Sequence, residues 1–151
     1  MIRRRIGWSA LFVCLLAHPA AAAEYQVKML NQGSGGMMGF EPQLLKISPG
    51  DTVHFVAADK GHNVQSVDGM IPDGAKSFSG AISQDLTVGF TVPGVYGYRC
   101  TPHGSLGMVG LIVVGDPVNE ANAKSAATPG AAGRVFAKLF QQIDSKRTAQ
   151  N

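Results

Sequence analysis

The stretch YRCTPHGSLGMVG, residues 98–110, sets Cys100, His103 and Met108 within nine positions. Thiolate and thioether are soft donors that favour Cu(I), and imidazole serves both copper oxidation states, so Cys-x2-His-x4-Met suits a single copper ion. A second imidazole stands upstream, where His62 lies in the turn DKGHN, residues 59–63. A sandwich fold can bring that turn to the same end as the later loop. His62, Cys100 and His103, with Met108 as a weak axial donor, then make the His2Cys trigonal set of blue-copper electron-transfer sites. Taken singly, none of the four is diagnostic. A Met at a strand start and a lone Cys are most often core residues, and a His in a turn is most often a surface residue. The ordered combination carries the reading.

Other chemistries use fewer of these residues. Structural zinc recruits more cysteines or histidines and does not choose a thioether. A Cys-His nucleophile would employ Cys100 and His103, leave His62 and Met108 idle, and need an oxyanion hole that the sequence does not offer. A copper-delivery protein on the same scaffold is the main alternative to an electron carrier. His54, in TVHFVA, alternates away from Val53 and Phe55 and reads as a surface residue.

Cys100 gains weight from the rest of the chain. Residues 1–23 begin with Arg3, Arg4 and Arg5, continue through IGWSALFVCLLA and end in Ala20 to Ala23, the layout of a secretory signal peptide. Its apolar part is too short for a membrane span, and no later run reaches the roughly 18 apolar residues one needs. Cys14 follows LFV, which lacks the small residue of a lipid-attachment site. The paired arginines fit twin-arginine export poorly, so the general secretory route is expected, with a soluble product in the periplasm and no membrane anchor. The precursor carries 13 Lys or Arg and 10 Asp or Glu, and the three leading arginines leave with the signal. The mature balance is then neutral, which excludes the basic surplus of a nucleic-acid binder. Cleavage also leaves Cys100 as the sole cysteine, and an unpaired thiol in an oxidising compartment calls for a reason such as a metal.

Positioning these residues requires strands. YQVKML, QLLKI, TVHFVA, LTVGFTV, VYGYRC and MVGLIVV alternate in the manner of half-buried strands, as with Leu86, Val88, Phe90 and Val92 on one face. SPGD at 48–51, DKGHN, IPDGAK at 71–76 and VPG at 92–94 supply the turns. The pattern predicts an all-β fold over 24–115, an antiparallel Greek-key sandwich or barrel. In VYGYRC, Tyr96, Tyr98 and Cys100 share a face, so the thiol should leave the strand pointing inward. Residues 116–151 turn alanine-rich and predict two helices packed on the sandwich. Asp116 and Pro117 suit the start of the first, and TPG at 128–130 interrupts. Phe136, Leu139, Phe140 and Ile143 form the apolar stripe of the second, opposite Lys138, Gln141 and Gln142.

At the level of whole stretches the chain resembles the pseudoazurins, small type 1 copper proteins of the cupredoxin class. The resemblance is carried by MLNQG at 29–33, FEP at 40–42, PGDTVHF at 49–55, DKGHNV at 59–64, MIPDGA at 70–75 and CTPHGSLGM at 100–108. It covers 24–151, including the helical tail that plastocyanins lack. It implies a cupredoxin-like sandwich and one copper ion cycling between Cu(I) and Cu(II) on His62, Cys100, His103 and Met108. It further implies that Asn63 ties the two ligand loops together through Thr101. Pro102 has no N–H to offer the sulfur, which shifts the reduction potential. Family members pass electrons through the exposed edge of the C-terminal ligand histidine, inside an apolar patch ringed by lysines. Here that patch would hold Met38, Pro72, Pro102, Gly104 and Leu106, and the ring Lys28, Lys60, Lys76 and Arg99. Relatives carry a bulky residue directly after the ligand histidine, so Gly104 is expected to leave the histidine edge barer. The implied protein is a monomeric electron carrier, not an enzyme. Its partners would be periplasmic reductases of denitrification, copper nitrite reductase or nitrous oxide reductase, with a c-type cytochrome as donor.

Overall fold

The computed structural model describes residues 21–126 and 130–148. Most of the expected signal peptide, residues 1–20, lies outside the described residues, as do Thr128 and Pro129 of the interrupting TPG. Eight strands follow in order: β1 Glu24–Gly33, β2 Gly36–Glu41, β3 Leu44–Ile47, β4 Thr52–Val56, β5 Gln65–Ser66, β6 Leu86–Gly89, β7 Gly94–Arg99 and β8 Val109–Val114. A 3-10 turn, Gly104–Leu106, interrupts the last pair. Two helices follow among the described residues, α1 Glu120–Ser125 and α2 Gly130–Thr148.

The strands form two four-stranded sheets, ordered β2-β1-β4-β6 and β3-β8-β7-β5. Their inner faces meet in a core built from Val27 and Met29 of β1, Val53 and Phe55 of β4, Tyr96 and Tyr98 of β7, and Ile112 and Val114 of β8. Rings interlock edge to face, with Tyr98 centred 4.8 Å from Phe40 and 5.2 Å from Phe55. Tyr96, Tyr98 and Cys100 all face this core, as the alternation requires.

The outer faces of β7 and β8 are buried too. Val95, Val109, Leu111 and Val113 pack against Ala123 of α1 and Phe136, Leu139, Phe140 and Ile143 of α2. A strand covered on both sides needs no polar face, which explains the unbroken apolar run of MVGLIVV. Each large side chain so buried contributes about 1.5–3 kcal/mol, enough to order a helix of this length. Lys124 clasps the two helices, bonding Glu120 at 2.7 Å and Asp144 at 2.9 Å.

The sheets are mixed, not antiparallel throughout: β1 pairs with β4, and β3 with β8, in parallel. Alternation fixes which face a residue takes and is silent on strand direction. Two strands gave no alternating signal. β2, GMMGFE, is glycine-rich, and β5 has only two residues. The first helix starts at Glu120, later than Asp116 and Pro117 predict. Asn119 is spent on β7, its Oδ1 accepting the Val95 N–H at 2.6 Å and its Nδ2 donating to the Val95 carbonyl at 2.9 Å. Reaching that anchor takes turns, with Val118 N–H bonded to the Asp116 carbonyl and Glu120 N–H to that of Pro117.

Candidate metal centre

β7 ends at Arg99, and the next residue, Cys100, is fully buried on the core face. From there the loop folds onto its own backbone. Cys100 N–H donates to the Met108 carbonyl at 3.0 Å, Gly104 N–H to that of Cys100 at 2.8 Å, and Met108 N–H to that of His103 at 3.2 Å. Gly107, at φ 102°, closes the 3-10 turn in the left-handed region that favours glycine. These bonds hold the backbones of Cys100, His103 and Met108 together; the Met108 side chain is fully buried.

His62 arrives from the turn after β4. Its carbonyl accepts the Ser83 N–H at 2.7 Å, and Ser83 Oγ accepts the Gly61 N–H at 2.9 Å, so the turn is held from both sides. His62 Nδ1 lies 3.1 Å from His103 Nδ1 and 3.8 Å from Cys100 Sγ, and Sγ lies 3.5 Å from His103 Nδ1. A triangle with these edges has a circumradius of about 2.0 Å, close to the metal–imidazole distance of about 2.0–2.1 Å and slightly inside a zinc–thiolate bond of about 2.3 Å. The three atoms surround a space the size of one transition-metal ion, and two imidazoles with a thiolate, on a loop that also carries the buried Met108, suit copper.

The ring chemistry supports this. His62 Nε2 lies 2.8 Å from Asn31 Oδ1. A carboxamide oxygen only accepts, so Nε2 carries the proton and Nδ1 points its lone pair at the cluster. Burial pushes the His62 pKa below its ordinary value, the adjacent His103 pushes the same way, and Asp59 opposes them. The ring is thus held neutral, the form that binds metal. Asn31 is itself anchored, its N–H donating to Asp59 Oδ2 at 2.7 Å. Sequence reasoning gave Asn31 no role, although it follows directly on the alternating run YQVKML; an Asn near a strand end carries no signal without the fold.

Asn63 and Thr101 join the two ligand loops. Asn63 Oδ1 accepts from Thr101 N–H at 2.8 Å, the Thr101 hydroxyl lies 2.7 Å from Asn63 Nδ2, and Nδ2 also donates to the Gly80 carbonyl at 3.1 Å. Pro102 is exposed, and His103 is the one half-exposed member of a cluster whose His62, Cys100 and Met108 are buried. Met38 and the exposed Leu106 line one hollow beside it, together with Met37 and, from α2, Lys138. Met37 was not singled out in the sequence, and Lys138 was placed only on the polar face of the second helix.

Other surface expectations change. Gly104 is buried, and a Cβ there would lie 3.4 Å from Arg99 Cδ, in contact with the Arg99 stem. Pro72 is buried at the opposite end of β7, packed against Gly94, and forms no part of a surface patch. Lys60 and Arg99 are exposed beside the ligand loops. Lys28 lies on the outer face of β1 opposite Glu41, and Lys76 borders a groove with Leu86–Val92 and Tyr96, both on the flanks. His54 sits at the surface, 3.5 Å from Asp85.

A two-sheet sandwich with a His2Cys cluster and a buried Met at one pole defines a cupredoxin. The family model for copper-binding proteins of the plastocyanin/azurin family matches residues 27–115. The chain is 43% identical to a pseudoazurin from Paracoccus pantotrophus, over 93% of this chain and 99% of that one, and 47% identical to a pseudoazurin from Methylorubrum extorquens, over 83% and 85%. A solved pseudoazurin from Sinorhizobium superposes with a TM-score of 0.80 at 45% identity, covering 82% of this chain and 98% of that one. The chain therefore belongs to the pseudoazurins, electron-transfer cupredoxins and not enzymes, with copper as the cofactor.

Proposed function

We propose that the protein is a periplasmic one-electron carrier whose copper ion is held by His62, Cys100, His103 and Met108. In this reading residues 24–115 are the carrier domain, 116–151 a helical cover, and the electron goes to a reductase such as copper nitrite reductase or nitrous oxide reductase. Copper, when bound, supplies the Cu(I)/Cu(II) couple. The chain supplies rigidity: loops tied through Asn63 and Thr101, and a His62 ring fixed by Asn31, keep the donor atoms in place in both oxidation states.

The observation that carries the reading is the close triangle of Nδ1, Nδ1 and Sγ, buried except at His103. A half-exposed ligand ring gives an electron a short path to a docked partner while solvent is kept from the other donors. Lys60, Arg99, Pro102, Met38 and Leu106 surround that exit, and a small charge-steered contact suits a carrier that must leave quickly.

Stopped-flow mixing of the reduced copper protein with oxidised copper nitrite reductase tests the proposal. Fast one-electron oxidation, reversed by a reduced c-type cytochrome, is expected. A copper-delivery protein would instead lose its metal to a chelator readily and show no fast reversible couple.

A further inference from the structure

Asp51 is only 4% exposed, yet none of the salt bridges among the described residues involves it. Its carboxylate is met by backbone donors instead. Oδ2 accepts the Ser48 N–H at 2.8 Å, and Oδ1 accepts the Ala23 N–H at 2.8 Å. Ala23 is bonded at its other end as well, its carbonyl accepting the Thr52 N–H at 2.9 Å. The pairing of β1 with β4 thus begins at Ala23, one residue before the boundary that the sequence suggested.

The small-residue rule for signal cleavage asks for small side chains one and three positions before the cut. In HPAAAAEY a cut after Ala20 would set His18 at the third position, and a cut after Ala21 would set Pro19 there. Two cuts remain, after Ala22 and after Ala23, and the rule does not separate them. The fold does. A cut after Ala23 deletes both the donor to Asp51 and the acceptor for Thr52. It also brings the Glu24 carboxylate to the new terminus, a full residue or about 3.8 Å along the chain from where Asp51 is served.

We infer that cleavage falls between Ala22 and Ala23, and that the new α-amino group of Ala23 becomes the counter-charge of the Asp51 carboxylate. The inference rests on the export reading. Hydrolysis by a signal peptidase consumes one water, whose hydroxyl goes to the Ala22 carbonyl carbon and whose hydrogen goes to the Ala23 nitrogen; a solvent proton then completes the ammonium. The neutral amide donor seen 2.8 Å from Asp51 Oδ1 is thereby replaced by a cationic one. Hydrogen bonds of that charged kind are roughly twice as strong as neutral ones. Among the described residues no cationic side chain pairs with Asp51, and a buried charge left without a counter-charge is the costly case.

The test uses the full 151-residue chain, exported in a Gram-negative host and recovered from the periplasm. Intact mass and N-terminal sequencing should give Ala-Glu-Tyr-Gln. A product beginning Glu-Tyr-Gln overturns this inference alone, whereas an uncut chain overturns the export reading with it. The ion pair is tested on mature chains released from a cleavable fusion, beginning at Ala23 or at Glu24, each with and without Asp51→Asn. The Glu24 chain should melt about 4 °C lower, and Asp51→Asn should cost the Ala23 chain more than the Glu24 chain. Equal losses in the two backgrounds would remove the ion pair.

Discussion

Replacing Asn63 with leucine keeps the branching of the side chain and removes the tie between the ligand loops. The wild-type side chain serves three partners: Thr101 N–H at 2.8 Å, the Thr101 hydroxyl at 2.7 Å, and the Gly80 carbonyl at 3.1 Å. At about 0.5–1.5 kcal/mol net for each bond the loss spans about 1.5–4.5 kcal/mol. Thr101 is exposed, so water takes over part of its bonding, and about 2 kcal/mol is the expected cost. In a chain of this size that lowers the melting temperature by about 8 °C. Thr101→Val removes only the hydroxyl and should cost about 1 kcal/mol. Because both changes break the same bond, the double variant should lose less than the sum, leaving a coupling of about 1 kcal/mol. Urea titration of the metal-free proteins measures the cycle, and competition with a Cu(I) chelator reads the looser site as faster copper loss. Additive losses, or an Asn63→Leu cost under about 0.5 kcal/mol, would refute the claim that this pair holds the loops together.

Three further outcomes are expected. Tyr98 buries its hydroxyl with no hydrogen-bond partner among the described residues, and burial pushes its pKa far upward, so Tyr98→Phe should raise stability by about 1 kcal/mol in urea unfolding; a loss of that size would reveal a further partner. Phe140 anchors α2 and lies 5.6 Å from Lys124 Nζ, so Phe140→Ala should cost about 3 kcal/mol while leaving the visible spectrum unchanged. Lys60→Glu should slow electron transfer several-fold at low salt, with the rates converging as ionic strength rises; equal rates at every ionic strength would remove Lys60 from the docking surface.

The ligand loop was legible because its three donors are adjacent in sequence and chemically distinct, and because Cys100 follows a strand whose alternation sets its direction. His62 was reachable only by asking which turn a sandwich brings to the same pole. Asn31 was not, since its role depends on β1 lying beside the His62 turn, a parallel pairing that alternation does not encode. The burial of Gly104 was not legible either, since the Arg99 stem it packs against comes from the strand side of the loop. Pro72 sits in a stretch with ordinary turn chemistry, and only the packing against Gly94 places it at the far end. The apolar stripe of α2 was clear from its helical spacing. The start of α1 was not, because Asn119 bonds to β7 and delays the helix.

The measurement closest to the central claim is the visible spectrum of the copper-reconstituted protein, taken oxidised, reduced, and again for Cys100→Ser. Cys100 Sγ within 3.5 Å and 3.8 Å of the two ring nitrogens predicts an intense thiolate-to-copper band that bleaches on reduction and is missing from the serine variant. A colourless oxidised protein, or a band that survives the loss of Cys100, would contradict the assignment.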